Sequence, residues 1–189
     1  MLTVTLAASP LLGMLAYSAV HEAGHAVVAV ANGARVDRFV IGPDAHLAWS
    51  GGSFSDAATS LSHAAGALLP ALLLVVALAV YRPRVRSDVY HTGYAVMAGC
   101  TLGSLLAWVV IPVVAVVGTP PPEDDVTRFL EASGMPELAL SAVAAATLVS
   151  LVAVAVWRRV PQTWLRVLRE VAGEEKAARA SEADVEAAG

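Results

Sequence analysis

Residues 16–33 read AYSAVHEAGHAVVAVANG, an apolar run that carries two histidines and a glutamate within five positions. The apolar run extends from about residue 6 to residue 31, which is long enough for a membrane helix of about 20 residues. An ionisable side chain near the centre of such a helix costs about 2.5–3.5 kcal/mol on insertion scales. Three of them so close together indicate a functional site, although hydrogen bonding to neighbouring helices remains an alternative role.

The composition of the chain is that of a membrane protein. Of its 189 residues, 57% are hydrophobic and 15% are charged, whereas about 25% are charged in soluble domains. Apolar runs that could span a bilayer occur at residues 6–31, 57–81, 92–117 and 136–157. We therefore expect an all-α membrane protein with about four transmembrane helices. One membrane domain would cover residues 1–160, and residues 161–189 would form a cytoplasmic interfacial helix and a disordered tail.

The positions of the basic residues predict the orientation. Arginines concentrate in the second loop, at positions 82, 84 and 86, and after the fourth apolar run, so both termini should be cytoplasmic. The basic residues lie at the ends of the apolar runs and form no patch, which argues against a nucleic-acid partner. The single Cys100 excludes intramolecular disulfides and Cys-based zinc sites. The Ala- and Val-rich composition favours a bacterial plasma membrane.

Two of the connecting segments have local structure of their own. Residues 35–41 alternate between polar and apolar side chains for four residues, residues 42–44 can turn, and residues 46–49 can return as a second strand. This pattern predicts a small β-hairpin. A simple interfacial loop anchored by Trp49 is the alternative. Residues 118–134 begin with a Pro-rich extended segment and continue as a short helix that should end near Gly134.

The histidine spacing predicts a metal site. Residues four apart lie on one face of a helix, so His21 and His25 present two imidazoles to one point. Zinc suits imidazole ligands, and a catalytic zinc keeps three protein ligands and an open position. Glu22 lies beside the pair as a general base, and water activated by zinc has a pKa near 7. This HExxH arrangement is typical of peptide-bond hydrolysis.

The chain resembles the site-2 protease family of intramembrane zinc metalloproteases. The resemblance covers about residues 10–135 and rests on HEAGH, the hairpin-like segment after it, and two further spans before an acidic loop. It implies that His21 and His25 bind zinc, that a later aspartate completes the site and that Glu22 activates water. The Asp-Gly that follows a proline in that family is absent here.

Three side chains are candidates for the third ligand. Asp125 is the first choice, because its segment resembles an Asp-containing stretch of minimal family members. Asp124 is the second, and either aspartate could instead cap the short helix. His63 is the third candidate, because it lies about as deep in the second span as His25 lies in the first; it could also be an outer partner of a ligand. To reach the zinc, residues 119–125 should dip inward as a re-entrant segment.

The sequence thus predicts a zinc endopeptidase that acts on membrane-embedded or membrane-adjacent protein and peptide substrates within the lipid bilayer. Two alternatives are a zinc-binding membrane protein without hydrolytic activity and an inactive protease-like scaffold. The distribution of arginines between the loops places the site in the outer half of the bilayer, while the family resemblance places it nearer the cytosol. The sequence does not decide between these two positions. His46 and His91 are interpreted as solvated or capping side chains without a role in the site.

Overall fold

The computed structural model describes the backbone of residues 2–188 and the side chains of residues 8–173, 176 and 177. This part of the chain forms helices and one two-stranded sheet. The elements in chain order are α1 (Leu2–Ala31), β1 (Ala34–Val40), β2 (His46–Gly51), α2 (Asp56–Val80), α3 (Asp88–Val117), α4 (Asp125–Ser133), α5 (Glu137–Trp157) and α6 (Val160–Ala188). The expected all-helical membrane fold with a small hairpin after the first helix is confirmed.

Short polar side chains fix where the helices begin. The hydroxyl of Ser55 accepts a hydrogen bond from the backbone N–H of Ala58 at the start of α2. The hydroxyl of Ser87 accepts one from the backbone N–H of Tyr90 at the start of α3. Such N-caps satisfy backbone N–H groups that have no partner within the helix. The short helix α4 ends at Gly134, whose φ of 63° is the left-handed conformation that glycine adopts readily.

The helices pack around two apolar clusters. α1 lies against α2 and α3, α3 lies against α5, and α4 lies across α2. One cluster joins α2, α3, α5 and the start of α6, and contains Leu74, Leu78, Tyr81, Ala98, Leu105, Leu151, Ala155 and Val160. The other joins α2, α3, α4 and α5 beside the metal-ligand candidates, and contains Ala64, Ala67, Trp108, Val126, Leu140 and Ala144. The second cluster therefore holds α4 in place against the bundle.

α1 and α2 approach each other at a glycine. A Cβ atom on Gly24 would lie 2.7 Å from the carbonyl carbon of Ala65, and closer still to its oxygen. Only a residue without a side chain allows two helix backbones to come this near. This contact brings the HEAGH segment of α1 directly against α2.

Among the described residues, three helices are long and apolar enough to cross a membrane, namely α2, α3 and α5. Their outward faces carry exposed leucines and valines, as expected for surfaces in contact with lipid. α1 has 30 residues, about 45 Å at 1.5 Å per residue, but the ionisable residues of HEAGH lower its apolar content. Its crossing of the membrane stays a prediction, as does the cytoplasmic position of both termini.

The hairpin pairs β1 with β2 in antiparallel register, from Ala34 opposite Gly51 to Val40 opposite His46. The register shifts between Val36 and Arg38. The backbone N–H of Gly42, in the turn, donates to the Ser18 hydroxyl at 3.0 Å. The hairpin is thereby tied to α1 three residues before His21.

The last element, α6, extends as one helix to Ala188. The expected division of residues 161–189 into a cytoplasmic interfacial helix and a disordered tail stays a prediction. Alanine, glutamate, lysine and arginine fill this segment, and all four are strong helix formers.

Candidate metal centre

Three potential ligand atoms meet between α1 and α4. The Nε2 atoms of His21 and His25 lie 3.2 Å apart, and each lies 3.2 Å from Oδ2 of Asp125. The three atoms therefore form a triangle with equal sides. This group could hold a metal ion.

Each ligand candidate is placed by local structure. His21 and His25 lie one turn apart on α1, so their rings share one face. Asp124 caps α4, since its carboxylate accepts the backbone N–H of Val126 at 2.8 Å. The cap fixes the first turn of α4, and the next residue, Asp125, then presents its carboxylate to both imidazoles. The two neighbouring aspartates thus take different positions, one at the helix cap and one at the metal centre.

Both imidazoles are oriented through their other nitrogen. His25 donates from Nδ1 to the carbonyl oxygen of Ser62 at 2.6 Å, which leaves the Nε2 lone pair free when the ring is neutral. His21 makes a hydrogen bond through Nδ1 with the Tyr17 hydroxyl at 3.4 Å. Partners of this kind fix the tautomer and orientation of metal-binding histidines.

The donor set fits a tetrahedral divalent cation. Ligand bonds of 2.0–2.1 Å to zinc correspond to distances of about 3.3–3.4 Å between ligands at tetrahedral corners. The observed sides of 3.2 Å match this spacing. Two imidazole nitrogens and a carboxylate oxygen at such distances bring electron-rich atoms together, and this requires a proton or a metal cation between them.

Asp125 is held in the form that binds a cation. Burial disfavours ionisation of its carboxyl, but hydrogen bonding to His21 and His25 outweighs that effect and holds the pKa of Asp125 well below its ordinary range. The ligand atom at the third corner of the triangle therefore belongs to a carboxylate.

A polar cavity of about 290 Å³ opens beside the triangle. Glu22 lies in its wall with only 4% of its surface exposed. The hairpin covers one side, while α2 and the segment leading into α4 form the other. The lining residues are His21, Glu22, His25, Ala45, His46, Leu47, Trp49, His63, Glu123, Asp124, Asp125 and Arg128.

The remaining histidines occupy three different environments. His63 lines the cavity but is not one of the three converging ligands. His46 is exposed at the cavity rim, and its Nδ1 donates to the Asp44 carbonyl oxygen at 2.7 Å. His91 is fully buried, so of its two interpretations, a solvated or a capping side chain, the solvated one is wrong. Its ring bonds the Tyr81 hydroxyl and the Val85 carbonyl, each at 2.8 Å.

Sequence reasoning missed two residues that shape the site. Tyr17 lies four positions before His21, a spacing at which side chains on a helix meet. The sequence could therefore have predicted this contact. Gly66 lies against both imidazoles, since a Cβ atom there would lie 2.5 Å from His21 Cε1 and closer to His25 Nε2. That closeness depends on how α1 and α2 pack, which the sequence does not reveal.

Comparisons with protein-family models, with curated proteins and with solved structures find no match to this chain.

Proposed function

We propose that this protein is a membrane zinc endopeptidase that hydrolyses peptide bonds of membrane-embedded or membrane-adjacent substrates, in the manner of site-2 proteases. The observation that carries the proposal is the equilateral triangle of His21, His25 and Asp125 atoms, 3.2 Å on each side, with the Glu22 carboxyl buried in the adjoining cavity wall. Zinc is favoured because the donor types and spacing suit a tetrahedral ion.

The chemistry divides between the ion and the protein. Bound zinc would supply Lewis acidity, which polarises the scissile carbonyl and lowers the pKa of water to about 7. Glu22 lies one residue from a ligand and faces the same cavity, so it can take a proton from the attacking water and pass it to the leaving amine. His21, His25 and Asp125 would hold the ion, and the cavity beside them would admit the substrate.

The substrate must be locally unwound at the cleavage point. An intact helix hides its carbonyl carbons behind hydrogen bonds and side chains, and the cavity beside Glu22 holds about 290 Å³, which suits an extended segment. We propose substrates whose membrane segments contain Gly, Pro or other weak helix formers near the cleaved bond.

A zinc carrier without hydrolytic activity is less well supported. Such a protein needs metal ligands along a path through the membrane. Among the described residues, His21, His25 and Asp125 form one compact group of metal-ligating side chains.

Two substitutions in purified, zinc-loaded protein test the proposal. Glu22→Gln should retain one zinc per chain and lose peptide cleavage, because the amide cannot accept the proton. His21→Ala should lose both zinc and cleavage. Zinc is measured by elemental analysis, and cleavage by mass spectrometry of membrane-segment peptides that contain Gly or Pro. If Glu22→Gln still cleaves at the wild-type rate, the proposed function is wrong.

A further inference from the structure

We infer that His63 is a further catalytic residue, which donates a hydrogen bond to the oxygen of the scissile carbonyl while that oxygen gains negative charge. The inference rests on the proposed peptidase function and deepens it. It concerns a side chain that takes no part in the metal triangle but lines the same cavity.

The position of His63 follows from how α2 meets the site. Gly66 touches both imidazoles, and the carbonyl of Ser62 accepts the hydrogen bond from His25 Nδ1. His63 lies between these two contacts in sequence. It is three residues before Gly66, so the two positions share a helix face with Cβ atoms about 5–6 Å apart. The His63 ring is therefore carried on the face of α2 that forms the wall of the metal centre.

The hydrogen-bonding state of His63 sets it apart from the other histidines. In the part of the chain that the structure describes, four histidines bond a protein partner through a ring nitrogen. These are His21, His25, His46 and His91. His63 makes no such bond among these residues, although its side chain is half-buried. A half-buried polar ring that faces a cavity without a protein partner is available to a ligand.

His63 and Glu22 share two charged neighbours, His25 and Asp125. Their other neighbours differ. Arg128 and Glu131 of α4 act on His63, whereas His21 of α1 and His46 of the hairpin act on Glu22. A carbonyl group held beside the shared pair would have the Glu22 base on the hairpin side and the His63 N–H donor on the α4 side.

The reaction balances with these roles. Water adds its oxygen to the carbonyl carbon and gives a proton to Glu22, while the carbonyl π electrons move to the oxygen that His63 N–H contacts. The C–N bond then breaks, its electron pair leaves with nitrogen, and Glu22 returns the proton to that nitrogen. As the C–N bond breaks, the electron pair on the oxygen restores the C=O double bond. The products are a carboxylic acid and an amine, which become a carboxylate and an ammonium group when the acid proton passes to nitrogen, and no oxidant or reductant is consumed. Neutral His63 suffices as the donor.

Arg128 is the alternative donor in the same cavity. Its side chain is exposed, and it forms no ion pair within the described residues. Its exposure makes it a weaker electrophile than a half-buried ring, because water screens exposed charge. Comparison of His63 with Arg128 therefore forms part of the test.

The experiment uses full-length, zinc-loaded protein in detergent and two readouts. The first is peptide cleavage, with kcat and KM determined separately. The second is affinity for dimethylphosphinate, a tetrahedral anion that mimics the charged oxygen, measured by competition and by the visible spectrum of the cobalt(II)-loaded protein. The variants are His63→Ala, His63→Gln and Arg128→Ala. Leu72→Ala, a lipid-facing change on the same helix, is the control.

His63→Ala should keep full zinc content, lower kcat by about 10²-fold with little change in KM, and weaken phosphinate binding at least tenfold. His63→Gln, which retains an N–H donor, should recover most of both losses, and Leu72→Ala should behave as wild type. Loss of zinc in His63→Ala, unchanged phosphinate binding, or a larger effect of Arg128→Ala would overturn the inference. If wild-type protein cleaves no peptide, the proposed function fails, while phosphinate affinity still decides whether His63 binds the anion.

Discussion

Gly66 on α2 faces His21 on α1 so closely that a Cβ atom at position 66 would lie 2.5 Å from Cε1 of the imidazole and 2.7 Å from its Nε2. The absence of a side chain at this position leaves the space in which the ligands converge. The convergence of the side chains that could hold a metal ion therefore depends on a residue that contributes no ligand atom.

Gly66→Ala should weaken zinc binding at least tenfold while the protein still folds. The added methyl group forces the imidazoles away from their 3.2 Å spacing, and His25 cannot move freely because Ser62 holds its Nδ1. Gly99→Ala is the matched control, because a Cβ atom there meets nothing within 4 Å. That control should keep full zinc affinity and gain slightly in helix stability. Zinc affinity is measured by competition with a chelator of known strength. Equal affinities in the two variants would contradict the role of Gly66.

Tyr17→Phe should lower zinc affinity by about 10- to 100-fold, the range found when an outer partner of a ligand is removed. The substitution deletes the hydroxyl that meets His21 Nδ1 and leaves the ring in place. Tyr94→Phe is the control, because it removes a tyrosine hydroxyl from α3, in the cluster around Tyr81 and Tyr90. It should leave the zinc affinity unchanged. A chelator titration of both variants distinguishes them. Affinity equal to wild type in Tyr17→Phe would show that Tyr17 does not orient His21.

Removal of the metal should destabilise the wild-type protein. A ligand that binds only the folded state contributes about 2.7 kcal/mol at a concentration 100 times its Kd. A chelator should therefore lower the thermal unfolding temperature of zinc-loaded protein in detergent. In Asp125→Asn the chelator should have a much smaller effect, because the carboxylate that completes the triangle is missing. Equal effects in both proteins would mean that Asp125 is not a ligand.

The parts of the fold that the sequence predicted are those governed by local patterns. Apolar runs predicted the long helices. The alternation of polar and apolar residues, together with a Gly-containing turn, predicted the hairpin. The choice between the two aspartates was open in the sequence, because either could cap a helix. It depends on the direction in which α4 leaves its first turn, which the packing of Val126 and the second cluster determines.

His91 shows where sequence reasoning fails for a single residue. Nothing near position 91 in the sequence distinguishes an interfacial histidine from a buried one. Its hydrogen-bond partners, Tyr81 and Val85, lie in the loop between α2 and α3, and the Tyr81 hydroxyl in turn bonds Thr163 of α6. Long-range contacts of this kind are fixed by tertiary packing and leave no local signal.

Tyr81→Phe should destabilise the protein by about 1–3 kcal/mol, the cost of leaving a buried polar group without a partner. The Tyr81 hydroxyl bonds His91 Nδ1 at 2.8 Å and also meets the Thr163 hydroxyl. The Tyr81 and His91 side chains are almost fully buried, so water cannot replace the lost bond.

The measurement is the free energy of unfolding in denaturant, with Tyr94→Phe as the control at a half-buried position on α3. Zinc affinity should be unchanged in both variants, because this network lies on α6 and the loop between α2 and α3, away from the triangle. A loss of stability in Tyr81→Phe no larger than in the control would show that the network contributes little to the docking of α6. A loss of zinc would instead show that this end of the bundle is coupled to the metal centre.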